Sequence, residues 1–151
     1  MFHKIINSNS SNSTLLIRLM VGVVFVSEGI QKFLIPSVRG AGRFENIGLP
    51  YSEHLASFVA SFEIICGALI LIGLLTRLAS IPIIIIMIVA LITTKSKIFI
   101  DLGFWEMMHA SRTDWAMLIG SLFLLIKGSG NYSIDALITR IKKRTESKGT
   151  H

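Results

Sequence analysis

Four apolar runs divide the chain, each bounded by charged or helix-breaking residues. A hydrocarbon core of about 30 Å needs about 20 helical residues at 1.5 Å each. The first run meets this over about residues 14–33, and the second over about 52–75. Between them, "IPSVRGAGRFENIGLP" breaks the helix with Gly and Pro, and Phe44 and Ile47 suggest an interfacial turn. The second run ends in "GLLTR", leaving almost no loop before a third span over about 78–95. Pro82 falls in the first turns of that helix, where its missing N–H does least harm.

The fourth run is short. Its purely apolar part, residues 115–126, would make about 18 Å of helix, too little for a core of about 30 Å. Counting back about 20 residues from Lys127 places the span at 106–127 and carries "HASRTDW" into it. His109, Arg112, Thr113 and Asp114 are therefore expected at membrane depth. The alternative is a locally thinned bilayer that leaves this stretch in water.

A polar, low-complexity tail occupies residues 1–13 and is expected to be disordered. The run after it contains Arg18 and lacks a small-residue cleavage site, so it is read as a retained span rather than a signal peptide. Beyond the fourth span, Ser133 can cap a helix over 133–145, with Asp135 in its first turn and a tail over 146–151. Ile134, Leu137, Ile138 and Ile141 share one face of that helix. Arg140, Lys142, Lys143 and Arg144 lie to its sides and back, suited to lipid headgroups. The expected fold is an all-α integral membrane protein, a four-transmembrane-helix bundle with a C-terminal amphipathic interfacial helix.

Composition agrees with a membrane protein. Hydrophobic residues make up 52% of the chain and charged residues 16%, against about a quarter in soluble domains. Of the fifteen Lys and Arg residues, five fall in "RIKKRTESK", which points to anionic lipid rather than nucleic acid. Lys4, Arg77, Lys127 and the C-terminal basic residues would lie on one side, and Arg39, Arg43 and Lys97 on the other. That count favours both termini inside. The single cysteine, Cys66, can form neither an internal disulfide nor a CxxC pair, and no zinc or nucleotide motif is present.

The remaining charges occupy stripes. Arg18, Gly22, Glu28, Gly29 and Lys32 share one arc of the first span, and Ala56, Ala60, Glu63 and Gly67 share one arc of the second. Small residues let helices approach closely in lipid, so both stripes are expected to face the bundle interior. In the fourth span, Glu106, His109, Arg112, Thr113, Ala116 and Gly120 oppose a lipid-facing arc of Met108, Trp115, Leu118, Ile119, Leu122, Leu125 and Ile126. Glu28, Lys32, Glu63, Lys95, His109, Arg112 and Asp114 are thus expected to converge in the outer half. The expected pairs are Glu28 with Lys32, and Glu63 and Asp114 with Arg112 or Lys95. Arg18 is expected to snorkel to the inner headgroups. Two readings follow from so many intramembrane charges: an ion-pair network, or a binding or proton-handling pocket open to the outer face.

The stretches "SEGIQKFLIP", "GAGRFENIGLP", "FEIICGALILIGLLTRLASIP", "TTK", "HASRTDWAMLIGSLFLLIKGSG" and "YSID", in that order, resemble the DoxX family of small bacterial inner-membrane proteins. The resemblance implies a four-helix bundle with both termini cytoplasmic. The family's recurring polar positions correspond to Glu28, Lys32, Arg43, Glu63, His109, Arg112 and Asp114. The family name traces to a subunit of a thiosulfate:quinone oxidoreductase, which implies a redox-linked subunit with a quinone as its ligand and a redox protein as partner. The competing expectation is a non-catalytic scaffold for a partner complex. A second copy of the chain is a further candidate partner.

Overall fold

The computed structural model describes residues 12–148. The tail expected over 1–13 lies outside these up to residue 11, and the one expected over 146–151 lies outside from residue 149. Among the described residues the chain is helical, with no strand. The helices are α1 (Thr14–Leu34), α2 (Ala41–Asn46), α3 (Ser52–Ile72), α4 (Thr76–Ala90), α5 (Ser96–Leu102), α6 (Phe104–Ala110), α7 (Arg112–Lys127) and α8 (Ile134–Lys148). A π-helical segment, Leu91–Lys95, joins α4 to α5 without a break. Among the described residues, three helical stretches are long and apolar enough to cross a membrane: Thr14–Leu34, Ser52–Ile72 and Thr76–Leu102.

The third of these outruns the sequence expectation by seven residues, since it continues past Lys95 to Leu102. At 27 residues it spans about 40 Å, more than the hydrocarbon thickness. Near its π segment the Thr93 and Ser96 hydroxyls donate to the carbonyls of Val89 and Ile92, a back-bonding that loosens the regular ladder. The fourth apolar run departs from the single expected helix. It is split at Ser111, whose hydroxyl donates to the Met107 carbonyl at 2.6 Å. Ser111 itself departs from helical backbone, with φ of −105° and ψ of 6°.

The bundle closes as a ring in which α1 packs on α3, α3 on α4, α4 on α7 and α7 on α1. Val21, Phe25, Ile70, Ile83, Met87, Met117 and Leu124 fill its centre. The α1–α3 contact is the closest. A Cβ added at Gly29 would lie 2.7 Å from the Ala60 carbonyl oxygen, and one at Gly22 would meet Leu71 and the Gly67 carbonyl. The two stripes of small residues therefore do face each other, backbone against backbone, as the spacing predicts.

Candidate functional site

The tight α1–α3 contact brings two ionisable side chains together. Lys32, in the last turn of α1, donates from Nζ to Glu63 Oε2 of α3 at 2.6 Å. Their side chains are only 8% and 5% exposed. Glu28, one turn below Lys32 on α1, lies 3.9 Å from the same ammonium and keeps a third of its surface open. Arg43, half-buried on α2, brings a second positive charge to bear on Glu63, because α2 packs against α3. The result is a group of two carboxylates and two cations. Its innermost pair is sealed between helices and its outermost carboxylate reaches the surface.

A second cluster joins α4 to the divided fourth run. Lys95 Nζ lies 3.0 Å from Asp114 Oδ2 and donates to the Ala110 carbonyl at 2.8 Å. One ammonium thus satisfies a free carbonyl at the end of α6 and a carboxylate in the first turn of α7. The expected Lys95–Asp114 pairing is present; the expected partner of Glu63 is not. Lys32 holds Glu63, and neither Lys95 nor Arg112 does.

His109 and Arg112 pair with each other rather than with either cluster. They are exposed, and the Arg112 guanidinium meets the His109 ring at 2.7 Å. Glu106, Thr113 and Ala116 are exposed as well. This overturns the sequence expectation that His109 and Arg112 face the bundle interior. The wheel chose the wrong face: within the unbroken helix α7, Arg112 lies opposite the apolar residues that pack inward. The face of α7 that packs inward is Met117, Leu118, Gly120, Ser121 and Leu124. Leu118 is therefore buried rather than lipid-facing, and Ser111 is fully buried at the break.

The opposite end of the bundle holds a feature that sequence reasoning misplaced. Arg18 does not snorkel; it is 1% exposed. Its guanidinium donates to the carbonyls of Ile70 (2.8 Å) and Leu71 at the end of α3, and of Ser129 (3.0 Å) and Tyr132 after α7. A planar five-donor fork can saturate several carbonyls at once, which an ammonium cannot. Gly73, in the α3–α4 turn with φ of +71°, leaves the space: a Cβ there would lie 2.6 Å from the Arg18 Cζ. Asp135, 2% exposed, closes the clasp. It accepts from the Leu75 N–H at 2.9 Å and the Thr76 N–H at 3.4 Å, capping α4, while its own N–H donates to the Gly73 carbonyl. The signal for Arg18 was available, because it shares its arc with Gly22 and Gly29. Asp135 gave no such signal, since its partners lie sixty positions away in the chain.

Among the described residues no group of three or more His, Cys, Asp or Glu side chains could hold a metal ion. Cys66 is a buried free thiol.

The family model for DoxX matches residues 13–96. The chain is 44% identical over 152 residues to "Uncharacterized membrane protein Rv3486" of Mycobacterium tuberculosis (strain ATCC 25618 / H37Rv), an alignment covering 97% of this chain and 91% of that one. It is 30% identical over 138 residues to "Putative oxidoreductase CatD" of Bacillus subtilis (strain 168), covering 91% and 95% respectively. No solved structure matches it.

Proposed function

The chain belongs to the DoxX family of membrane proteins, and from that premise we propose that it is the membrane-embedded subunit of an oxidoreductase. In this reading the Lys32–Glu63 pair binds the head group of a quinone. The observation that carries it is the sealed ion pair with a partly exposed second carboxylate at 3.9 Å. A lysine ammonium has three donors, and Glu63 takes one at close range. That leaves a donor for a quinone carbonyl, with Arg43 as a second cation beside the site. Quinone reduction takes up two electrons and two protons. Glu63 is placed to give or take a proton at the bound oxygen, and Glu28 to exchange it with the outside. The electrons come from a partner redox protein. The name of the Bacillus subtilis relative supports this class of activity.

The same reading includes the topology. The α6–α7 stretch forms the fourth crossing, with the Lys95–Asp114 pair bridging its break, because α7 alone reaches only about 24 Å. Both termini lie on the cytoplasmic side of a bacterial inner membrane, where the Lys and Arg residues are more numerous.

A second reading, a non-catalytic scaffold for a partner complex, is favoured by one observation. The four carbonyls around Arg18 and the partners of Lys95 are all supplied by the chain itself.

The test is to purify the protein in mild detergent and measure quinone per chain in the lipid extract by mass spectrometry. The redox reading expects quinone approaching one per chain, reduced in Lys32→Met. It also expects a loss in Glu28→Gln and Arg43→Gln, whose side chains are more open and whose replacement leaves the sealed pair intact. Folded wild-type protein without quinone above the lipid background, or variants that all retain it, would overturn this reading. Co-purification of a partner without any small molecule would favour the scaffold.

A further inference from the structure

The C-terminal helix is built the opposite way round from a helix on a soluble protein. Asp135 and Ala136, in the first turn of α8, are buried against the bundle, and Thr139 one turn later is half-buried. These three share one side of the helix. Leu137, Ile138 and Ile141, which share the other, are 56%, 44% and 57% exposed. The side carrying Asp135 and Thr139 is thus turned to the protein, and among the described residues nothing covers the apolar stripe. At about 100° per residue, Lys142 and Arg144 flank the stripe on its two sides, and Lys143 lies behind it. All three are exposed.

The height of the helix is set by the clasp at its start. Asp135 caps the first residues of the span Thr76–Leu102, and its N–H binds the turn that ends the span Ser52–Ile72. Arg18 holds the connecting segment through the Ser129 and Tyr132 carbonyls. The root of α8 is therefore fixed in the plane where two spans meet the membrane surface. An apolar stripe at that level, with a cation on each side, matches the two layers of an anionic leaflet: acyl chains for the stripe, phosphates for the flanks.

We propose that α8 is a rigidly rooted dock for anionic phospholipid, in which Leu137, Ile138 and Ile141 enter the acyl boundary and Lys142 and Arg144 grip headgroup phosphates. The Arg18–Asp135 clasp makes this a fixed feature of the fold, separate from the redox site at the other end of the bundle.

The experiment uses the full chain in lipid nanodiscs, with a water-soluble maleimide as the reagent. Cys66 is 5% exposed, so the wild-type protein serves as the blank. Single cysteines are placed on the stripe, as Ile141→Cys, and behind it, as Lys143→Cys. In phosphatidylglycerol nanodiscs Ile141→Cys should react about tenfold more slowly than Lys143→Cys, since the stripe is withdrawn from water. In phosphatidylcholine nanodiscs the difference should shrink. Adding Lys142→Gln or Arg144→Gln alone should shrink it in phosphatidylglycerol by up to about fivefold, and adding both should abolish it. Equal reactivity of the two sites in phosphatidylglycerol would overturn the proposal. So would protection that is unchanged in phosphatidylcholine, which removes the anionic headgroup. Protection that appears only with a cross-linked dimer would instead place a second copy on the stripe, and would overturn it as well.

Discussion

Lys95 lies 3.0 Å from Asp114 and 2.8 Å from the Ala110 carbonyl, so a single ammonium spans the interruption between α6 and α7. The pair is partly open, with side chains 15% and 25% exposed. Lys95→Met and Asp114→Asn should each lower stability by about 1–3 kcal/mol, since each leaves a polar group without its partner. The double variant should lose less than the sum. Thermal unfolding of the four proteins in detergent, read as a double-mutant cycle, checks this; strict additivity would show that the two side chains do not act on one another.

The Lys32–Glu63 pair is more deeply buried, and its loss should be correspondingly larger. Removing one member, in Lys32→Met or Glu63→Gln, strands the other between helices at a cost of about 3–5 kcal/mol. Replacing both by apolar residues should recover most of the loss. If the double variant is as stable as wild type yet binds no quinone, the pair is retained for function and not for folding. Denaturant titration of the single and double variants, followed by quinone measurement on each, separates the two contributions.

Arg18→Lys is expected to fail where charge alone is conserved. Four carbonyls surround the guanidinium, and a lysine presents a single ammonium from one direction. The expected loss is about 3–5 kcal/mol, close to that of Arg18→Gln. A headgroup-snorkelling arginine would tolerate lysine without penalty, so near-wild-type melting of Arg18→Lys would contradict the buried clasp.

Asp135→Asn keeps the shape of the side chain and removes its charge from the start of α4. Weakening a cap of this kind should lower stability by about 0.5–2 kcal/mol. The stronger effect should be local. Limited proteolysis should cut between α7 and α8 faster in Asp135→Asn than in wild type, while the spans stay protected.

Gly29→Ala tests the closeness of α1 and α3. The added methyl would lie 2.7 Å from the Ala60 carbonyl oxygen and from Ile64 Cγ1, and close to the Glu63 Cβ. Backbone cannot yield as a flexible side chain can, so the helices must separate, at about 1–3 kcal/mol. The same shift should lengthen the Lys32–Glu63 contact. The variant is therefore expected to lose quinone along with stability, whereas a substitution at the exposed Ile30, one residue on, should alter neither.

The amino-acid sequence by itself determined the membrane class, three long apolar helices and the facing stripes of α1 and α3. These follow from run length and from the 3.6-residue repeat, which are local properties that neighbours do not alter. It also placed Lys32 and Glu63 on inward arcs, because each shares its arc with glycine or alanine. What only the tertiary structure decided was partnership and phase. Which cation meets Glu63 depends on how the helices are ordered around the ring, and periodicity is blind to that order. The wheel of the fourth run went wrong at His109 and Arg112 because it took the polar arc as inward, whereas α7 packs through Met117, Leu118, Ser121 and Leu124. The inward side of Arg18 was legible from its glycines, but its partners and those of Asp135 were not: they are backbone groups of distant turns, and backbone groups carry no signature in the sequence.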